Sequence, residues 1–551
     1  MKKVKIVFSI LLGLAMAFSM FACGTDSSTT GPSAGTSAST AETPTSAAPE
    51  GSASTSSDDG ITVRIGVTGY LGRFLAGIAP SECHSACDAV FDTIFKTDAI
   101  TRETKSDVLQ DWYWESDNVF IMEMYDNIYF SNGDKATADD LLFSYVSHKE
   151  RGSNYLNNMF IDWDKTAVRD DLTVAFYVTQ KNHSMDIMSI YLIDKSWSEQ
   201  VGWDSEEWYY PVSSGPYMCV DYAYDDHITL QLRENYWARD ISDYYVKEYD
   251  IKYYADVSTM YMDLELGNID FCEVGSADYS RFLKSGDEEE GFNVILKSNG
   301  VVQYFNLAYL DNPIWENENL RMAVAYGINW PELGQLMNGD MYSPANSVTP
   351  SSSSVYVDVG TREYDPDKAI EYLRKAGYAE GQLTLKAFLM DTPIYKAFGQ
   401  GVTYYLDKIG INTSVDYGDV STAIANWIVP GNNDFGLLYS IGGSSTVAVQ
   451  DSIQQAGEKT GVSWTYVDDD QFQKYYGVFL YQWEDKDLVK QTAKDIQQYI
   501  YDNALILPIA ESVSTIGYRT DLMTEDQINT YLFTIGQYQL STLGLNDAWG
   551  K

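Results

Sequence analysis

The residues of this chain that are capable of catalysis are few, and they are not grouped as a catalytic site requires. The four histidines, at positions 84, 148, 183 and 227, form no H-E-x-x-H pair, and neither a P-loop nor a G-x-G-x-x-G sequence is present. Residues 31–35 fit G-x-S-x-G, but a nucleophile elbow needs a strand before it and a helix after it, which this stretch lacks. The sequence therefore predicts no catalytic residue, although a glycosidase's two carboxylates need no local motif.

Cys83 and Cys87 are spaced for a metal site, because residues four apart share one face of a helix. A tetrahedral site needs four ligands, and only Cys219 and Cys272 remain to complete it, with nothing in the sequence that brings them near. Buried thiols, or disulfides in an exported protein, are the simpler expectation. We expect no metal and no other cofactor.

The fifth cysteine, Cys23, follows an export signal. Residues 1–5 carry three lysines, and residues 6–21 form an apolar run of 16, short of the roughly 20 residues that span a bilayer. The sequence Ala22-Cys23-Gly24 resembles the cleavage box of bacterial lipoproteins, although Phe21 is bulkier than the usual residue. This resemblance implies that residues 1–22 are removed and that Cys23 is lipidated, which anchors the protein to the outer face of the cytoplasmic membrane.

After Cys23 comes a tether. Residues 24–60 are almost wholly Ser, Thr, Ala, Gly and Pro, so they lack the apolar side chains that a core requires. Such a segment has a root-mean-square span of roughly 35 Å. Residues 23–60 are therefore expected to hold a folded domain away from the membrane.

The remaining 490 or so residues exceed the size of a single core and should divide into two or three lobes. No second low-complexity break separates these lobes, so the chain must cross between them more than once. The net charge is −42, and loss of the three signal lysines makes it −45. This acidity disfavours nucleic acid and anionic membrane surfaces as partners. It is explained either by a well-solvated, soluble surface or by attraction of cationic solutes.

The elements that would position a binding site are clearest between residues 120 and 150. Residues 120–125 are typical of a strand, Ser131-Asn132-Gly133 of a tight turn, and Thr137 can cap a helix. This run resembles the signature of the extracytoplasmic solute-binding proteins of oligopeptide-type ABC importers, which is solute-binding protein family 5. The matching residues are Phe130, Gly133, Asp134, Ala138, Asp140, Leu141, Phe143 and Ser144.

The resemblance continues along nearly all of the mature chain. The segments that carry it are residues 108–125, Ser214-Gly215-Pro216-Tyr217, Asn235-Tyr236-Trp237, Gly267-Asn268-Ile269-Asp270, residues 306–329 and residues 364–378. The last of these also has its own physical signals, because Asp365 can cap a helix, Pro366 fits its first position and Gly377 can end it.

The resemblance implies an α/β, two-lobed periplasmic-binding-protein-like fold with a hinge and an extra inserted subdomain. Two or three crossovers would let the lobes close on a solute. The implied division is 61–91, 208–298 and 506–551 for the first lobe, 92–207 for the inserted subdomain, and 299–505 for the second lobe.

The resemblance also implies where a solute is held. A peptide would pair its backbone with the loop after the first strand, residues 61–67, and with a segment after a buried second-lobe strand, residues 434–438. The 43 tyrosines and 13 tryptophans suit a pocket for peptides or sugars, and two tryptophans flank the second segment. The predicted ligand-binding residues are Thr68, Gly69, Tyr70, Tyr439, Ser440, Ile441, Gly442, Trp427 and Trp464.

The implied function is capture of an oligopeptide-like solute and its delivery to the permease subunits of an ABC transporter, without catalysis. Peptide-specific relatives place an aspartate against the peptide's α-amino group, whereas this chain has Gly443-Ser444-Ser445-Thr446 there. An oligosaccharide or another non-peptide solute is therefore the first alternative. A secreted glycosidase or a sensory ectodomain, which would have other partners, remains open.

Overall fold

The structure is a computed structural model that describes most of the chain beyond residue 59. The described residues are 60–68, 71–75, 84–97, 104–151, 160–182, 185, 190–275, 278–279, 282, 291–310, 312–427, 429, 431–440, 449, 453, 456–457, 465–534, 537–538 and 540–550. The predicted signal, Cys23 and the tether up to residue 59 lie outside these ranges. Within these ranges no helix combines the length and the apolar composition that crossing a bilayer requires.

Strands and helices alternate along much of the chain. The strands are β1 Ile61–Val67, β2 Lys96–Thr97, β3 Thr104–Lys105, β4 Leu109–Ser116, β5 Val119–Met124, β6 Ala167–Asp170, β7 Thr173–Tyr177, β8 Tyr217–Ala223, β9 His227–Leu232, β10 Val246–Tyr253, β11 Phe271–Glu273, β12 Phe292–Leu307, β13 Ser343–Pro344, β14 Leu383–Met390, β15 Ile411–Gly418, β16 Phe435–Tyr439, β17 Leu507–Arg519, β18 Phe533–Thr534 and β19 Gln537–Tyr538. The α-helices are α1 His84–Val90, α2 Ala138–Glu150, α3 Lys195–Val201, α4 Val257–Glu265, α5 Glu318–Gly327, α6 Trp330–Asn338, α7 Pro366–Lys375, α8 Pro393–Lys408, α9 Val420–Trp427, α10 Asp470–Tyr481, α11 Lys486–Asp502, α12 Glu525–Gln527 and α13 Leu540–Leu543.

Nine of the described strands form one sheet, in the order β16-β12-β17-β11-β1-β10-β9-β8, with β13 also paired to β17. The strand β1 has the predicted bounds and lies parallel to β10 and to β11. The first strand of the folded chain is thus enclosed by later ones, as a buried parallel strand requires.

Two long strands, β12 and β17, connect the two halves of this sheet. The beginning of β12 pairs with the end of β17, and β17 pairs there with β11. The other end of β12 pairs with the beginning of β17 and with β16. Separate buried clusters lie on each side, one with Val63, Ile251 and Ile516, the other with Phe305 and Leu437. The crossing strands therefore link two lobes.

The pairing of the crossing strands is irregular where they pass between lobes. Ser298 lies opposite Val513 and Val302 opposite Glu511, so three residues of β12 face one residue of β17. Gly300, inside this bulge, has φ +77°, a conformation that other residues adopt at a cost. Such an interruption is a natural place for a hinge.

A smaller sheet, β4-β5-β7-β6, forms a separate subdomain with α2 packed against it. Its core includes Phe120, Leu141 and Phe176. This subdomain lies within the predicted insertion, residues 92–207. The domain boundaries remain predictions. The prediction assigns residues 506–551 to the first lobe, but β17, which lies within them, belongs to both lobes.

The helix α2 forms as its sequence predicts. Thr137 precedes it, and the Asp140 carboxylate accepts the Thr137 N–H at 2.8 Å and the Lys195 N–H at 2.9 Å. The hydroxyl of Ser144 accepts the Ile193 N–H at 3.1 Å. Asp140 and Ser144 of the family-like run therefore join the helix to the chain that follows the subdomain.

The helix α7 also confirms its local signals. The Asp365 side chain accepts the Lys368 N–H at 2.9 Å, and Pro366 is the first helical residue. Gly377, just after the helix, has φ +95°. A side-chain cap, a proline and a left-handed glycine are thus enough to define this element.

Candidate functional site

The strands β11 and β16 end against the crossing strands between the lobes, and β1 ends beside β11. The strands β1 and β11 run parallel, and the Val274 N–H, just beyond β11, donates to the Thr515 carbonyl of β17 at 3.0 Å. On the other side, β16 ends beside Val302, which lies opposite Glu511 of β17. Thr515 lies four positions after Glu511, about 13 Å along an extended strand. The strands that precede the two predicted solute-binding segments therefore end toward the same inter-lobe region.

On the first-lobe side, Thr68 directly follows β1 and is half-buried. The preceding carbonyl, of Val67, accepts the Tyr254 N–H at 2.8 Å, which fixes the end of the strand. Gly69 and Tyr70 lie outside the described residues. Assignment of these three residues to the solute stays a prediction.

On the second-lobe side, β16 runs from Phe435 to Tyr439, one residue later than predicted at each end. Tyr439 was expected after the strand, but it is the last strand residue, because it pairs with Gln303. Ser440 is buried, donates its N–H to the Val302 carbonyl at 2.8 Å and accepts the Val302 N–H on Oγ at 2.8 Å. Ser440 therefore ties the predicted segment to the bulge between the lobes.

The rest of that segment, Ile441 and Gly442, lies outside the described residues, as does Trp464. Trp427 is buried in the second-lobe core, where its indole N–H donates to the Phe388 carbonyl at 2.7 Å. Its ring lies against Tyr395, with centroids 6.2 Å apart. These contacts favour a packing role for Trp427 over the predicted contact with solute.

A buried polar group at the crossing strands was not predicted from the sequence. The side-chain amides of Gln303 and Asn338 bond reciprocally, with N···O distances of 2.9 and 3.1 Å. Gln303 also donates to the Ser512 hydroxyl at 3.4 Å. Gln303 is buried and Asn338 half-buried, and amides held this way favour one arrangement of α6 on the crossing strands. No local pattern marks these residues, because the partners are far apart in sequence.

Glu511 brings a negative charge to the same region. Its side chain is buried, and its carboxylate accepts the Ser351 N–H and hydroxyl at 2.8 Å each. Burial, together with the charges of Asp358 and Glu511, raises the pKa of Tyr356 to about 12. Within the described ranges no lysine or arginine forms an ion pair with Glu511. An uncompensated buried carboxylate favours a cationic group nearby.

A small pocket lies inside the second lobe and not between the lobes. Arg362 lines it, with Thr361, Gln497 and Tyr501. The Arg362 guanidinium donates to the Tyr501 carbonyl and lies 4.3 Å from the centroid of the Tyr501 ring. The charged group of this pocket, Arg362, is therefore bonded to a residue of the same lobe.

The described cysteines are buried thiols. Cys87, Cys219 and Cys272 are each free, which agrees with the first of the two expected states, whereas Cys83 lies outside the described residues. Burial raises the pKa of the Cys87 and Cys219 thiols to about 12. Such thiols are poorly reactive. Among the described residues no three metal-binding side chains come together.

Comparison with known proteins assigns this arrangement to a family. The curated protein named "Probable peptide-binding protein YejA", from Agrobacterium fabrum, is 21% identical over 433 residues, covering 67% of this chain and 70% of that protein. The solved ABC transporter substrate-binding protein CtaP from Listeria monocytogenes has a TM-score of 0.69 at 18% identity, covering 88% of this chain and 99% of CtaP.

A third similar protein is the periplasmic binding protein DppA from Helicobacter pylori, solved in complex with the peptide STSA. Its TM-score is 0.62 at 16% identity, covering 89% of this chain and 98% of DppA. At such identities these structures establish the shared two-lobed α/β fold. Residues 103–485 match the model of bacterial extracellular solute-binding proteins, family 5 (middle), and the chain therefore belongs to this family.

Proposed function

We propose that this solute-binding protein captures a peptide-type solute between its lobes and delivers it to the permease of an ABC transporter. The observation that carries the proposal is that β1 and β16, the strands before the two predicted segments, end close to the crossing strands. The names of YejA and of the DppA complex, which refer to peptides, support a peptide as the solute class.

The proposed mode of binding is backbone pairing. Residues 68–70 would offer N–H and C=O groups from the first lobe, and residues 439–442 would offer them from the second. An extended peptide that pairs with both segments is read mainly through its backbone, so many sequences would fit. Because Gly443-Ser444-Ser445-Thr446 supplies no carboxylate, the peptide's amino group would be held elsewhere, for which Glu511 has the required charge.

We further propose that the chain catalyses nothing and that the ATPase of the partner transporter provides the energy of transport. A lipid on Cys23 would keep the protein beside that transporter. Incubation with labelled oligosaccharides separates this proposal from a glycosidase, because only an enzyme would release shorter products.

The test begins with a thermal-shift screen of peptides and oligosaccharides, because a ligand that binds only the folded state raises the melting temperature. For a peptide found this way, Gly442→Trp should weaken binding more than about tenfold, or about 1.4 kcal/mol, by filling the backbone-pairing segment. Isothermal titration measures the affinity, and Asn432→Trp, at an exposed residue before the opposite end of β16, is the control. Equal affinity for parent and Gly442→Trp would remove that segment from the site. A response only to oligosaccharides would instead favour the alternative solute.

A further inference from the structure

The inserted subdomain touches the second lobe at a place separate from the crossing strands. Trp114 of β4 lies against Trp483, in the turn between α10 and α11, with ring centroids 6.4 Å apart. Trp114 is half-buried and packs against both the subdomain core and a second-lobe cluster, and Trp483 is buried. Two large aromatic side chains thus connect parts of the molecule whose cores are distinct.

An ion pair lies beside the two rings. Lys181, which follows β7, places its Nζ 2.9 Å from Glu484 Oε1 and 5.3 Å from the centroid of the Trp114 ring. The Glu484 side chain is 62% exposed, whereas that of Lys181 is 24% exposed. A partly exposed pair of this kind is weak and salt-sensitive, which suits a contact that forms and breaks repeatedly.

The path of the chain gives this contact a consequence. The subdomain is connected at both ends to the first lobe, whose strands β1 and β8 flank it in sequence. The first lobe reaches the second through β12 and β17. A contact between the subdomain and the second lobe therefore bridges the two parts of the molecule that the hinge joins. Opening of the lobes at the hinge would break this contact.

We propose that Trp114, Lys181, Trp483 and Glu484 form a latch that holds the subdomain on the second lobe and sets how often the lobes open. The latch acts on the lobes themselves, so it does not depend on the identity of the solute. The latch acts in the protein without solute, and it affects both the entry and the release of a solute.

The test compares the mature parent protein with Glu484→Lys, a change at an exposed side chain, and with Trp114→Ala. Deuterium exchange is read in residues 109–116, across the contact from Glu484. We expect Glu484→Lys to speed this exchange about twofold to fivefold, with a larger radius of gyration in X-ray scattering. Lys165→Ala, which removes an exposed ion pair with Asp162 inside the subdomain, is the control and should change neither quantity.

The exchanged pair Lys181→Glu with Glu484→Lys, made together with Asp117→Asn because Asp117 lies 4.0 Å from Lys181, should return both quantities toward the values of Asp117→Asn alone, since the attraction is restored with reversed signs. Melting curves check that each variant is folded. Parent-like exchange and scattering in Glu484→Lys and in folded Trp114→Ala would overturn the latch. Opening in Glu484→Lys that the exchanged pair fails to reverse would overturn the role of the ion pair.

Discussion

The packing of the first lobe around Asp88 should make the titration of this residue measurable in the stability of the protein. Its carboxylate accepts the Leu540 N–H at 3.3 Å and the Ser541 hydroxyl at 3.0 Å, so the C-terminal segment packs over it. Burial raises the pKa of Asp88 to about 7, although Ser541 and Lys96 lower it in part. In the folded protein the ionised form of Asp88 is therefore less favourable than the protonated form.

The sign of the pH effect follows from this raised pKa. An unfolded aspartate titrates near pH 4, so the stability linked to protonated Asp88 is complete below that pH and is lost as the pH rises through about 7. Because of Asp88, the unfolding free energy of the parent should fall by roughly 2 kcal/mol between pH 5 and pH 8, and Asp88→Asn should abolish this contribution. Urea unfolding at both pH values measures it. Asp170→Asn, at an exposed carboxyl whose pKa is lowered, is the control, and equal pH slopes for Asp88→Asn and parent would contradict the prediction.

Among elements, the bulge between β12 and β17 is one whose conformation depends on its glycine. Gly300 has φ +77°, and its N–H donates to the Ser298 hydroxyl at 3.3 Å. A β-branched residue is strongly disfavoured there, so Gly300→Val should cost about 1 to 2 kcal/mol of unfolding free energy.

Gly300→Asn provides the comparison, because asparagine adopts the left-handed region more readily. Denaturant unfolding should place the asparagine variant between the parent and the valine variant. The same loss for both substitutions would indicate lost packing space instead of backbone strain.

Local signals in the sequence are sufficient to predict elements whose formation depends mainly on their own residues. Caps predict α2 and α7, with a proline and a terminal glycine for α7, and the family resemblance implies β1; all three formed. The end of β16 was displaced by one residue, because Tyr439 pairs with Gln303 and no local signal encodes that partner.

The candidate site was less predictable for the same reason. The amides of Gln303 and Asn338 meet across 35 positions, and Gln303 meets Ser512 across 209. Such contacts arise when the crossing strands bring distant segments together. The family resemblance indicated the segments after β1 and β16, but it gave no reason to expect Glu511 beside them.

At the scale of the whole molecule, family membership gives an extracytoplasmic location. The proposed anchor is what would fix the protein within that location. We predict that Cys23→Ser will release the protein from the membrane fraction or block its processing, because serine has no thiol to receive a thioether-linked lipid.

Fractionation of cells followed by immunoblotting measures this change. Ser19→Ala, within the predicted signal, is the control and should leave both processing and membrane association as in the parent. A Cys23→Ser protein that matures normally and stays with membranes would refute the lipid anchor.

The place of β17 in the large sheet also determines the order in which the molecule can be completed during synthesis. The first lobe sets β1, made first, and β17, made roughly 440 residues later, on either side of β11. By contrast, most second-lobe elements are made between residues 313 and 502. Until β17 is available, β11 and β12 each lack a neighbour, and such unpaired edges recruit other chains. The sheet that joins the two lobes is therefore completed late, only once β17 has been supplied.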